Sequence, residues 1–353
     1  MTPADVDSAP VAGTAQTSNA ATQRVMCVNC DICSSRNGQL IHASERMFGM
    51  GGAFDYFECG DCGRLQLVNA PSSLSRFYPP AYYSFQPSRS DERSRTSAGR
   101  RWFARKRNAA VLFGHRGIGV LLARLRPNPR ASELRALISS TGLNNYDARI
   151  LDVGCGSGQL LNRLGSVGFK RLIGIDPFLP QDAEASDGVE LRAVPLEQVD
   201  DGPYELIMFH HSLEHMPNHH DVFRKVVDLL HQSGCCLIRM PIVPSDLLQR
   251  FGPAWAELDA PRHLSIHSVE SVGRLAAQVG LKVASVKYEE IAFGFWASEL
   301  YVRGLTLVDP ATGCFRNPED HFELGELRKF QSLADEANRR QRGGRAAIIL
   351  RHA

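Results

Sequence analysis

Two C-x-x-C pairs carry the plainest chemistry in the sequence: Cys30 and Cys33, a 25-residue spacer, then Cys59 and Cys62 followed by glycine. Two such knuckles supply the four thiolates of a tetrahedral zinc site, and a closed set of four leaves no position for water, so the ion would be structural. Cys27 also stands three residues before Cys30, so the first pair can slide; scattered buried or redox-active thiols are the alternative. A second constellation runs Ile150-Leu-Asp-Val-Gly-Cys-Gly-Ser-Gly158, an apolar run opening into a glycine-rich turn. Glycines let a backbone approach a ligand closely, and here Gly154, Gly156 and Gly158 make G-x-G-x-G, with Gln159 where a dinucleotide site needs its third glycine. About 20 residues on, Asp176 ends a second apolar run, where a carboxylate can accept hydrogen bonds from both hydroxyls of a ribose. The alternative is a turn kept for strand-to-helix packing and a solvated aspartate.

A third cluster, His210, His211, Glu214 and His215, follows the run Tyr204–Phe209. A histidine there can remove a substrate proton, or the Glu214–His215 pair can orient the next helix; all four together can also be read as metal ligands, though nothing in the sequence fixes their geometry. His263, in Trp255-Ala-Glu-Leu-Asp-Ala-Pro-Arg-His263, is a second candidate base, or a loop histidine bonded to backbone.

With Asp152, Gly154, Gly156 and Gly158 in place and Asp176 at the right separation, the chain resembles the class I S-adenosylmethionine-dependent methyltransferases. The resemblance implies a cofactor-binding set of Asp152, Gly154, Cys155, Gly156, Gly158, Asp176 and His210, and a catalytic set of His215 and Glu214, with His263 beside them. Together with Cys30, Cys33, Cys59 and Cys62, and the Tyr78–Tyr83 segment after them, it is similar to bacterial methyltransferases that carry an N-terminal zinc ribbon. Many of these act on sugars or nucleotide sugars, so the implied acceptor is a saccharide hydroxyl or carbon. Lacking a full further domain after its last strand, the chain departs from the carbon-methylating members. The resemblance spans residues 27 to 290, is specific at the cofactor and cysteine motifs, and is loose elsewhere. An RNA methyltransferase with a zinc ribbon and an inactive cofactor-binding interaction protein are the alternatives.

Positioning these groups requires a sheet. Short runs rich in Ile, Leu and Val at Arg149–Val153, Arg171–Ile175, Val189–Ala193, Glu205–Phe209, Cys235–Met240, Leu281–Tyr288 and Ala346–Leu350 alternate with helical patterns. That alternation predicts an α/β fold with one doubly wound, mostly parallel, seven-stranded sheet. Helices are expected at Gln159–Val167, Asp221–His231 and Val269–Val279, the last two punctuated by Gly234 and Gly280. The sequence divides into a disordered tail over 1–24, a separately built zinc-ribbon module over 25–87, a basic linker and helix over 88–130, and the methyltransferase domain over 131–353. Apolar residues recur with helical spacing from Trp102 to Leu125.

The composition of the 353-residue chain, 43% hydrophobic and 22% charged, is that of a globular protein, and no apolar run reaches the ~20 residues needed to cross a bilayer. With no basic start or apolar stretch at the N-terminus, a cytoplasmic location is expected, and nine cysteines there argue against a disulfide framework. The net charge of +2 conceals an asymmetry: Ser88–Arg130 holds 12 Lys or Arg against Asp91 and Glu92. Nucleic acid is a possible partner of such a segment, but the His-His-Ser-Leu-Glu-His run lacks the motif used for base methylation. Peripheral membrane contact through residues 100–126 is the other expectation.

Overall fold

The computed structural model of the chain describes residues 28–79, 98–180 and 188–353. The expected tail, Cys27, Tyr82, Tyr83 and the first part of the basic linker lie outside them. Three antiparallel strands come first: β1 (Gly38–Ser44), β2 (Ala53–Cys59) and β3 (Leu65–Val68). Three helices follow, α1 (Ala98–Leu112), α2 (Ile118–Leu125) and α3 (Pro129–Thr141). The single helical pattern expected from Trp102 to Leu125 is thus two helices. Gly114 and Gly117 adopt positive φ, 70° and 92°, where only glycine sits without strain, and the chain turns there.

Beyond α3 the strands and helices alternate: β4 (Arg149–Val153), α4 (Gln159–Val167), β5 (Arg171–Ile175), β6 (Val189–Arg192), β7 (Tyr204–His210), α5 (His219–Leu229), β8 (Leu230–Pro241) and α6 (Asp246–Phe251). The last elements are β9 (Ser265–Ile266), α7 (Val269–Gln278), β10 (Leu281–Tyr288), α8 (Ala292–Val302), α9 (Leu324–Arg339) and β11 (Arg345–His352). Seven of these strands form the expected sheet in the order β10-β11-β8-β7-β4-β5-β6, parallel except that β11 runs antiparallel between β8 and β10. Every expected strand and helix is present. The largest boundary difference follows α5, which ends at Leu229 with β8 starting at once, so Gly234 lies within the strand and does not end the helix. Its Cβ would sit 3.0 Å from the carbonyls of Tyr204, Glu205 and His231, so the close approach of neighbouring backbone accounts for the glycine.

Both faces of the sheet are covered, and the two-residue period of a strand divides its apolar side chains between them. Ile150, Leu206 and Met208 pack against α3 and α4, whereas Leu151, Ile207 and Phe209 pack against α5 and α7. Asp152 therefore points to the same side as Ile150. The chain runs outward from β4 to β5 and β6, then returns to place β7 on the other flank of β4. A sheet of this kind opens a crevice beyond the carboxyl ends of β4 and β7, where the strand order reverses.

The cysteine-bearing meander does not stand apart. Its edge strand β3 pairs with β9, making a four-stranded sheet to which the C-terminal part contributes, and Cys30, Cys59 and Cys62 share one apolar cluster with Leu275 and Val272 of α7. A second cluster joins Phe54, Tyr56 and Phe77 to Trp255, Phe295 and Tyr301.

Candidate active site

The crevice is a cleft of about 750 Å³. Its floor is the turn after β4. Gly154 and Gly158 take φ of 74° and 73°, and a Cβ on Gly154 would lie 2.5 Å from that of Ser212. Ser212 in turn donates a 2.5 Å hydrogen bond to the Val153 carbonyl, locking the end of β7 against the turn. The backbone of the turn is held from β5, since the amides of Gly154 and Cys155 both donate to the Ile175 carbonyl at 2.8 and 3.1 Å.

Asp152, Gly154, Cys155, Gly156 and His210 line the cleft. Asp152 is 2% exposed, and its Oδ1 has no hydrogen-bond partner among the described residues. Burial, reinforced by the nearby charge of Asp176, pushes its carboxyl up to about 7. An unpartnered buried acceptor beside a side-chain-free turn is what a cationic, amine-bearing ligand needs, so these residues fit the cofactor implied by the motif. Asp176 and Gly158 are not on the cleft wall. The Asp176 carboxylate accepts one backbone amide at each oxygen, Gly156 (3.1 Å) at Oδ2 and Phe178 (2.9 Å) at Oδ1, so it braces the glycine turn with a second acceptor position left on each oxygen. His210 is neutral: burial, then His211 and Arg239, push it down to about 3.

At the carboxyl end of β7 the chain bends sharply, with His211 at φ 56° and its amide donating to the Arg239 carbonyl. Glu214 follows, its side chain fully buried. His211 Nδ1 approaches to 3.4 Å, but neither oxygen has a hydrogen-bond partner among the described residues, and burial raises its carboxyl. His215 Nδ1 lies 2.9 Å from the Arg262 carbonyl and 3.2 Å from the Tyr78 hydroxyl; His263 Nδ1 lies 2.7 Å from the Glu257 carbonyl. A carbonyl only accepts, so in both rings Nδ1 carries a proton, and in the neutral tautomer this selects, Nε2 is the basic nitrogen. The two rings sit 4.7 Å apart, and burial first, then His263, lowers the pKa of His215. One ligand atom each from Glu214, His215 and His263 falls within 4.8 Å of the others. The grouping of His210, His211, Glu214 and His215 considered as metal ligands does not form one ligand set: His211 reaches Glu214, but the three groups that converge are Glu214, His215 and His263.

The segment bearing His263 is fixed by residues that sequence reasoning passed over. Arg262, fully buried, bonds Asp259 through two nitrogens (2.5 and 2.9 Å), Glu45 at 2.8 Å and the Phe77 carbonyl at 3.1 Å, while the Tyr56 hydroxyl donates to the His263 carbonyl at 2.7 Å. Glu45, Tyr56 and Phe77 all belong to the cysteine-bearing part, which also sends Met47 to the cleft wall. The local signal was a charged pair, Asp259 and Arg262, set among the apolar residues Leu258, Ala260 and Pro261.

Near α7, Cys30 Sγ and Cys62 Sγ lie 3.5 Å apart, as do those of Cys33 and Cys59, and all four sulfurs are within 4.8 Å of one another. Tetrahedral zinc with bonds of ~2.3 Å places its sulfurs about 3.8 Å apart, so the four thiols are already spaced for the ion.

Residues 123–286 match the family model described as a methyltransferase domain. No curated protein matches the chain significantly. Solved structures with a similar course include the cyclopropane synthase MmaA2 from Mycobacterium tuberculosis, 13% identical over 73% of this chain and 98% of that one, with a TM-score of 0.39. Two others are the YcgJ protein from Bacillus subtilis (17%, 62% and 98%, TM-score 0.40) and a SAM-dependent methyltransferase from Archaeoglobus fulgidus (18%, 67% and 100%, TM-score 0.38). Likenesses this partial bear on neither substrate nor mechanism. The glycine turn, the sheet order around it and the family match agree, and the cleft they enclose is that of a class I S-adenosylmethionine-dependent methyltransferase domain.

Proposed function

We propose that the enzyme methylates a sugar or saccharide, most directly at a hydroxyl, with His215 as the base. The observation that carries this reading is the convergence of Glu214, His215 and His263 in the cleft beside the glycine turn, with Nδ1 of each histidine held by a backbone carbonyl and Nε2 outside that bond. When bound, the cofactor supplies an electrophilic methyl on a sulfonium. An acceptor hydroxyl must lose its proton as it takes the methyl, and the neutral imidazole of His215, held by the Arg262 carbonyl, would receive that proton at Nε2. Burial keeps His215 neutral at physiological pH, and the Glu214 carboxyl beside it favours the imidazolium that forms. Asp152 and the backbone of Gly154–Ser157 hold the cofactor, with Cys155 and His210 against it and Gly158 and Asp176 shaping and bracing the turn. Alignment of acceptor and methyl supplies much of the remaining acceleration.

In the same reading, Cys30, Cys33, Cys59 and Cys62 hold one structural zinc in a ribbon spanning residues 25–87, residues 88–130 connect, and 131–353 form the catalytic domain. The support for a saccharide is the pairing of a cysteine ribbon with this catalytic sheet, together with a cleft whose lining includes Glu257, Asp259, Arg239 and Arg345, side chains suited to hydroxyl groups.

Single-turnover assays with a panel of nucleotide sugars and saccharides test it. General-base loss costs typically ~10² to 10⁴ in rate, so His215→Ala is expected to lose that much with cofactor affinity retained, and His263→Ala less. If both variants keep the wild-type rate, the histidines only shape the loop. Turnover that depends on added Mn²⁺ would instead make Glu214, His215 and His263 a cation site.

A further inference from the structure

Outside the cleft, large apolar side chains crowd into one place. Six of the 13 that are exposed among the described residues sit on the α1–α2 hairpin: Trp102, Phe103, Ile118, Val120, Leu121 and Leu125, at 38% to 69% exposure. On α2, Ile118, Leu121 and Leu125 recur at i, i+3 and i+7, which places them along one line of the helix. They cannot turn inward, because the inner sides are taken. Gly119 packs so closely on α1 that a Cβ there would lie 2.3 Å from the Lys106 carbonyl, and α1 is seated on the domain by Ala109, Leu112 and Asn108, whose side-chain amide donates to the Val167 carbonyl at 3.1 Å.

The charge of this hairpin is as lopsided as its apolar content. From Ala98 to Arg130 there are nine Lys or Arg and no Asp or Glu. Arg100, Lys106, Arg116, Arg124 and Arg126 are exposed among the apolar side chains. Three occupants compete for such a face. A second copy of the chain would bring like charge against like charge across a two-fold axis, since symmetric contacts use the same patch twice. A nucleic acid would neutralise the cations but leave the leucines and isoleucine in water. An anionic bilayer surface meets both features: cations stay at the phosphates while apolar side chains enter the headgroup boundary.

We propose that the α1–α2 hairpin is a docking surface for an anionic lipid bilayer, with Trp102, Phe103, Leu121 and Leu125 entering the headgroup boundary and Arg100, Arg116, Arg124 and Arg126 facing the lipid phosphates. No helix among the described residues is long and apolar enough to cross a membrane, so the contact is peripheral. It holds the catalytic domain, to which α1 is packed, against the surface without involving the cleft residues, and it is independent of the acceptor proposed above.

Co-sedimentation of the full chain with vesicles tests it, using phosphatidylcholine alone and phosphatidylcholine mixed equally with phosphatidylglycerol. The protein is expected to sediment with the mixed vesicles, to stay in solution with the neutral ones, and to be released by salt. Each arginine changed to glutamine among Arg116, Arg124 and Arg126 should weaken binding about fivefold. The pair Leu121→Glu and Leu125→Glu, both at exposed positions, should abolish sedimentation while leaving the melting temperature and the mass by light scattering unchanged. Four results overturn the proposal: wild type ignoring both kinds of vesicle, equal binding to neutral and anionic vesicles, a leucine pair variant that sediments like wild type, or one that changes only the oligomeric mass. Retention on RNA with no vesicle binding also overturns it and assigns the face to nucleic acid.

Discussion

Asp152 is where cofactor binding and pH meet. A carboxyl held near 7 by burial and by Asp176 is largely neutral at pH 6, whereas the amine of the cofactor needs it ionised. Binding must then expel a proton. Below pH 7 the dissociation constant for S-adenosylmethionine is therefore expected to rise about tenfold per pH unit, and above it to stay level. Asp152→Asn should bind weakly and without that slope, and calorimetry in buffers of different ionisation enthalpy reads the proton directly. A slope shared by wild type and variant would place the titration elsewhere. At this scale the sequence was informative where a residue type is rare outside one use: glycines at G-x-G-x-G, paired cysteines, an acid at a strand end. It was silent on Asp176, whose position it located but whose oxygens turn to the Gly156 and Phe178 amides, because hydrogen bonds to one's own backbone leave no compositional trace.

Among elements, the loop from Asp259 to His263 has the most unusual support. Arg262 and Glu45 are both fully buried, and removing one partner of such a pair typically costs about 3 to 5 kcal/mol because the other charge is stranded. Arg262→Met strands two carboxylates, Glu45 and Asp259, and frees the backbone carbonyl that fixes His215. It is expected to lower the melting temperature and to reduce turnover more than cofactor affinity. Adding Glu45→Gln should recover part of the lost stability, and a double-mutant cycle by thermal denaturation measures how much; strict additivity would mean that the two side chains do not interact. The strands and most helices were legible because apolar periodicity is a local property, repeated within ten residues of itself. This loop was not, since Arg262 reads as an ordinary surface arginine until residues more than 200 positions away are placed beside it. The two-residue strand β9 is too short to show a period at all.

The whole molecule is less divisible than its sequence suggests. A zinc ribbon read as a separate module should melt by itself, yet here its cysteines share an apolar cluster with α7, and Ser268 donates to the Cys62 carbonyl. Cys59→Ser is therefore expected to lose the metal and to lower the stability of the entire chain in a single calorimetric transition, with turnover falling as Glu45, Tyr56 and Phe77 slacken their hold on the catalytic loop. Two separated transitions, with the upper one unchanged, would restore the independent module. The β3–β9 pairing also imposes an order of events during synthesis. Strand β3 ends at Val68 and its partner begins at Ser265, so nearly 200 residues separate them. At ribosomal rates of 5 to 20 residues per second the growing chain carries a bare sheet edge for roughly 10 to 40 s. Exposed edges recruit other strands; a zinc ion taken up early, fastening the knuckles before β9 exists, would keep the nascent meander from pairing with its neighbours on the polysome.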